Sequence, residues 1–157
     1  MIVIDVEASG LAVESYPIEI AWQDSEDLGN FDTFLIVPDQ RWTHWDEYAE
    51  EEIHHITREM LSEEGVSIDE ACNRLNQKLI GTTVYSDALE YDYAWIMTLF
   101  ETANKTPSFE MASIFDLLPD LTETKYETYV NDEVVIHRAL GDARQIISLY
   151  RQVVKNK

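Results

Sequence analysis

The chain has 157 residues, enough for one domain with a buried core and short for two. Eleven Lys and Arg stand against thirty-one Asp and Glu, a formal net charge of −20, which argues against long duplex nucleic acid as a ligand. The single cysteine, Cys72, excludes an internal disulfide and cannot by itself build a Cys-based zinc site.

The apolar opening run is interrupted by Asp5 too early for a signal peptide, and no segment approaches membrane-spanning length. A cytoplasmic protein with no membrane partner is therefore expected. The cations are scattered, with a small group (Arg138, Arg144, Arg151, Lys155, Lys157) near the C-terminus.

Met1-Ile2-Val3-Ile4 begins a buried strand that carries Asp5 and Glu7 two residues apart. Residues i and i+2 of a strand share a face, so both acids project together, and Ala8-Ser9-Gly10 ends the strand. Two like charges side by side near a core are costly unless a cation neutralises them. The alternative is a strand end with two solvated acids.

Pro17 to Trp22 and Phe31 to Val37 alternate as strands, separated by the turn Leu28-Gly29-Asn30 and stopped by Pro38. Short connections between three early strands predict an antiparallel meander. Trp42 to Glu52 reads as a short helix and loop, and Arg58 to Glu63 as a short helical piece. Ser67-Ile68-Asp69-Glu70 is a capping box opening a helix whose apolar face is Ile68, Ala71, Cys72, Leu75 and Leu79, ending before Gly81. Thr82 to Ser86 predicts a strand, Glu90 to Thr102 a helix, Phe109 to Ile114 a last strand, and Ala139 to Lys155 a closing helix. Asp116 to Asp132 is loop-rich. This order argues for one α/β domain with a mixed sheet.

Further chemistry-competent residues sit at element ends. Asp87 follows a strand, Asp92 falls in a helix's first turn, and His137 precedes Asp142 by five residues at another helix start. Singly, Asp92 and Asp142 could do no more than complement helix dipoles. Together, four carboxylates on separate elements fit a pair of hard, oxygen-ligated ions such as Mg²⁺ or Mn²⁺. A histidine beside them suits a general base, and the set is the inventory of two-metal phosphodiester hydrolysis.

The pattern Ile4-Asp5-Val6-Glu7-Ala8-Ser9-Gly10-Leu11, with a middle Asp and then His137-Arg138-Ala139-Leu140-Gly141-Asp142-Ala143, resembles the DEDDh 3′–5′ exonucleases. Pro17-Ile18-Glu19-Ile20-Ala21 and Ile53-His54-His55-Ile56-Thr57 are further echoes, the latter similar to the family's isoleucine-histidine-glycine-isoleucine-threonine segment. The resemblance covers nearly the whole chain. It implies a single exonuclease domain over residues 1–157 with an RNase H-like fold: a five-stranded mixed sheet, second strand antiparallel, flanked by helices.

The resemblance also implies roles. Asp5, Glu7 and Asp142 would hold the ion that activates water, Asp5 would bridge to a second ion supported by Asp92, and His137 would be the general base. Ala8 and Ser9 through their backbone, and Leu11 through its side chain, would hold the 3′-terminal nucleotide, with His54 and Thr57 nearby. The expected partner is single-stranded or short nucleic acid with a free 3′ end, RNA or DNA, and self-association as a homodimer is plausible from the family.

The middle motif departs from the pattern. Where relatives read histidine-asparagine-alanine-x-phenylalanine-aspartate, this chain has the longer Ser86-Asp87-Ala88-Leu89-Glu90-Tyr91-Asp92, so Asp87 competes with Asp92 for the supporting role. Two rival functions stand beside the exonuclease: a non-catalytic acidic protein that binds a basic partner, favoured by the net charge, and an RNase H-like endonuclease. Of the four tryptophans, Trp42 and Trp45 are expected to be the most exposed.

Overall fold

The computed structural model describes residues 1–118 and 136–155. Five strands, β1 (Ile2–Ala8), β2 (Pro17–Asp24), β3 (Phe31–Leu35), β4 (Thr83–Ser86) and β5 (Glu110–Ser113), form one sheet in the order β3-β2-β1-β4-β5. The first three pair antiparallel as a meander, and β4 and β5 run parallel to β1. The second strand is therefore the one that opposes its neighbours, as expected. Parallel strands need crossovers, and the helices supply them.

Those helices are α1 (Arg58–Glu64), α2 (Ile68–Leu79), α3 (Leu89–Thr102) and α4 (Ala139–Lys155). The capping box works as predicted: Ser67 Oγ accepts the Glu70 N–H at 3.2 Å. Its helix then buries Ala71, Cys72, Leu75 and Leu79, the face read from the periodicity.

Strand alternation sorts β1 between two cores. Ile4 and Val6 pack with α2 and α3, whereas Val3 packs with Ala143, Ile146 and Ile147 of α4. Asp5 and Glu7 share the side of Val3, so the sheet's period of two puts both acids under the start of α4. Trp22, Phe100, Leu75 and Leu99 are fully buried in the α2–α3 core. Truncating one such side chain costs about 2–5 kcal/mol.

Several expectations shift. β2 runs two residues beyond Trp22, and β3 stops at Leu35, after which Ile36 makes only an isolated bridge to Val66. Within the Trp42–Glu52 region the regular piece is a short wide helix at Ala49–His54, which runs past Glu52. The predicted loop beyond Leu118, up to Asp132, and Lys157 lie outside the described residues.

Three of the C-terminal cations, the arginines, are engaged with the meander. Arg138 pairs with Glu19 at 2.7 Å, Arg144 lies over the Phe31 ring and donates to Gln23, and Arg151 donates to the Ser25 carbonyl. All three peg α4 to the meander. No helix among the described residues is long and apolar enough to cross a membrane.

Candidate active site

Two groups of carboxylates converge where β1 ends, and Asp5 belongs to both. Oxygens of Asp5, Glu7 and Asp142 lie within 4.8 Å of one another, and so do those of Asp5, Asp87 and Asp92. β1 supplies Asp5 and Glu7, the first turn of α4 supplies Asp142, the end of β4 supplies Asp87, and the start of α3 supplies Asp92. The structure thus unites all four predicted acids and adds Asp87. It does not choose between Asp87 and Asp92: both are there. Asp87 follows β4 directly, and its place at the end of a predicted strand was the signal that made it the competing choice.

Asp5 Oδ2 is buried and meets no hydrogen-bond donor among the described residues. An unmet carboxylate oxygen in such a place is costly unless it is protonated or bound to a cation. Burial, reinforced by Asp92, Glu7, Asp87 and Asp142, holds the Asp5 carboxyl well above the usual carboxylate range. Glu7 is pushed up to about 8 by burial and by Asp142, Glu19 and Asp92, with Arg138 opposing. Asp92 is likewise pushed up to about 8 by burial, against the relief of its Ser86 hydrogen bond. Burial raises Asp142 as well, and His137 partly offsets it. Negative charge has been crowded here with little internal compensation. The donor set is all hard oxygen, which fits Mg²⁺ or Mn²⁺.

His137 stands at the rim, half-exposed, with Nδ1 2.9 Å from Asp142 Oδ2. Its backbone is fixed too: the His137 N–H donates to the Ile53 carbonyl at 2.9 Å. The next residue, Arg138, reaches Glu19 through Nε and Nη2, and Glu19 Oε2 also accepts the Ala139 N–H at 3.1 Å. One buried carboxylate on β2 therefore anchors both the guanidinium and the N-terminus of α4, which presents His137 and Asp142 together.

The acids line a cleft of about 270 Å³ whose apolar walls are Leu11, Ile53, Tyr91 and Trp95. Leu11, expected to touch the terminal nucleotide, lines this cleft and is 74 % exposed. Tyr91 and Trp95 lie with ring centroids 5.7 Å apart on α3. Their part in the cleft was not predicted, although the i, i+4 spacing puts them on one helix face. Trp42 and Trp45, expected to be the most exposed tryptophans, are instead half-buried like Trp95: Trp42 stacks on Tyr16, and Trp45 donates to Glu50 beneath Arg58.

The remaining substrate expectations fare unevenly. Ala8 is buried in the strand and Ser9 fully so. The Ser9 N–H donates to the Tyr16 carbonyl, its carbonyl accepts from Asp46 N–H, and its hydroxyl joins Tyr16 N–H and His44. Gly10 is needed for the chain's own packing, because a Cβ there would stand 2.7 Å from His44 and 2.9 Å from Asp46.

His54 and Thr57 do not line the cleft. His54 is buried and its Nδ1 accepts the Ile56 N–H at 2.9 Å, while Thr57 caps α1 by accepting the Met60 N–H. The segment serves the site indirectly, through the Ile53 side chain and carbonyl. His55, at the place of the glycine in the family segment that this stretch resembles, has φ +55°, the left-handed conformation that glycine suits best.

Solved structures similar to this chain include nucleases. The zinc-bound form of E. coli exonuclease I with single-stranded DNA aligns over 99 % of this chain with a TM-score of 0.73 at 12 % identity. The same enzyme with a dT13 oligonucleotide aligns over 97 % with a TM-score of 0.71 at 14 % identity. This chain spans only 40 % of the length of exonuclease I in either case. The nuclease domain of 3′hExo, a DEDDh family member, bound to rAMP, aligns over 99 % of this chain and 91 % of its own, with a TM-score of 0.71 at 12 % identity. No family model matches the sequence, and no curated protein matches it either. The likeness establishes the fold: an RNase H-like mixed sheet of the kind found in DEDDh exonuclease domains.

Proposed function

We propose that the chain is a metal-dependent 3′–5′ exonuclease, one domain over residues 1–157, acting on the 3′ end of short or single-stranded RNA or DNA and releasing nucleoside 5′-monophosphates. The observation that carries this is the pair of carboxylate triads sharing Asp5, with His137 hydrogen-bonded to Asp142 at their rim. The solved relatives of this fold are exonucleases with bound single-stranded DNA or rAMP, which supports the same reading.

Asp5, Glu7 and Asp142 would hold one divalent ion, Mg²⁺ or Mn²⁺, and Asp5 with Asp92 a second. Bound there, such ions supply a nucleophile at neutral pH and offset charge on the leaving oxygen. The chain's own residues do the rest. With Asp142 ionised, His137 donates from Nδ1 to Asp142 Oδ2, which leaves Nε2 as the basic nitrogen that takes the proton of the attacking water. Glu19 and the Ile53 carbonyl keep the His137 segment from drifting. Leu11 and Tyr91 offer apolar surface to the terminal base, so affinity for a short strand can come from stacking where cations are scarce.

The deciding experiment is a time course on 5′-labelled single-stranded RNA and DNA oligomers with Mg²⁺ or Mn²⁺. A ladder shortening from the 3′ end, absent in Asp5→Asn, is expected, and the faster substrate gives the class. A folded, metal-loaded protein that degrades neither would favour the acidic binding protein instead. Cleavage of a circular substrate would point to an endonuclease.

A further inference from the structure

The middle acidic stretch carries one carboxylate more than a single supporting acid requires, and its two acids are not equivalent. Asp92 is 2 % exposed, its Oδ2 accepts the Ser86 hydroxyl at 2.5 Å, and the Val6 N–H donates to the same carboxylate. Ser86 is itself buried and tied to the Ala88 N–H at 3.0 Å, so Asp92 is held from behind. Asp87 is half-buried on the cleft wall and within 4.8 Å of both Asp5 and Asp92 through its carboxylate. Asp5 belongs to this group as well, and its buried Oδ2 meets no donor among the described residues.

From this we infer that Asp87 is a direct ligand of the second ion, joining Asp5 and the buried Asp92 in one three-carboxylate site. The consequence is that the second ion is resident before nucleic acid arrives. The inference rests on the metal-dependent reading above and deepens it. Mg²⁺ is commonly held by one or two carboxylates plus substrate phosphates, so an ion with so few protein ligands waits for its substrate. Three convergent carboxylates make an anionic cage whose internal repulsion a cation relieves without a phosphate. The extra acid also suits a protein poor in free cations, because the ions must supply the positive charge that draws the phosphodiester in.

The test is Mn²⁺ binding to the nucleic-acid-free protein, counted by isothermal titration calorimetry and by the EPR signal of free Mn²⁺. Wild type is expected to bind two ions and Asp87→Asn one, the ion that remains being the one held by Asp5, Glu7 and Asp142. Asp87→Glu, which keeps the charge, is expected to restore the second ion at reduced affinity. A thermal melt in EDTA guards against misfolding, and Asp87→Asn is expected to melt at or above wild type because it removes a repelling charge.

Two Mn²⁺ ions bound to Asp87→Asn at wild-type affinity would overturn the assignment. So would a wild type that takes its second ion only after a nucleoside 5′-monophosphate is added, or a folded Asp87→Asn that loses both ions. A wild type that binds no Mn²⁺ at all would overturn the metal-dependent reading itself, and the ion count separates that failure from the others.

Discussion

Glu7 and Glu19 face each other across β1 and β2, both buried, and the fold treats them in opposite ways. Glu19 receives a bidentate guanidinium from Arg138 and a backbone N–H from Ala139. Glu7 faces Asp142 and Asp5 and is pushed up to about 8. One carboxylate is neutralised from within and holds a helix in place. The other is crowded by further acids. In one sheet, at one register position, this contrast separates an acid matched by a cation of the fold from one surrounded by like charge.

Exchanging the two roles by mutation gives the sharpest test. Glu7→Gln is expected to lower turnover on a 3′ oligonucleotide by about 10³-fold, the scale lost when one transition-state charge contact is removed. Glu19→Gln is expected to keep measurable turnover but to destabilise the fold by about 2–3 kcal/mol in urea unfolding. That is below the usual cost of breaking a buried pair because the Arg138 side chain is 43 % exposed. If Glu7→Gln were the variant that unfolded and Glu19→Gln the inactive one, the contrast would be wrong.

Acidity offers a second test. The Glu7 and Asp92 pKa values lie near 8 in the metal-free fold, above the ordinary values of 4.5 and 3.8, so the fold takes up protons that the unfolded chain has lost. These groups therefore favour the fold fully at low pH, and that contribution is lost as pH rises through about 8. In EDTA the melting temperature is expected to fall by roughly 5–10 °C between pH 5 and pH 9. The slope should be shallower in Glu7→Gln, and saturating Mn²⁺ should raise the curve most at high pH. A melting temperature that climbs with pH in EDTA would refute the assignment of strained acids.

The smallest effect concerns the segment that supports His137 from below. His55→Gly is expected to stabilise by about 0.5–1 kcal/mol, because a non-glycine residue at φ +55° bears a steric penalty that glycine does not. Unchanged or lower stability in a urea titration would show that the His55 side chain contributes more than the turn costs.

Much of the fold was legible because its signals are local. The alternation in β1, the capping box at Ser67 and the apolar face of Ala139–Lys155 each fix an element without knowledge of its neighbours. Asp5, Glu7, Asp92, His137 and Asp142 were legible because their residue types and order carry a recognisable chemistry. The fates of Ser9, His54 and Thr57 were not, because whether a polar group meets solvent or its own chain depends on which segment folds over it. His44 and Asp46 close over Ser9 and Gly10 from more than thirty residues away, and no spacing rule reports that.

By itself, then, the sequence determined the strands and helices, their order, and the acids available for a cation, since periodicity and residue chemistry are properties of short stretches. Tertiary structure alone decided that Glu19 is matched by Arg138 while Glu7 is not, and that Asp87 and Asp92 both reach Asp5. Those outcomes turn on distances of a few ångströms between residues up to 119 positions apart in the chain, set only when β1 and β2, the end of β4, and the starts of α3 and α4 meet at one end of the central strands.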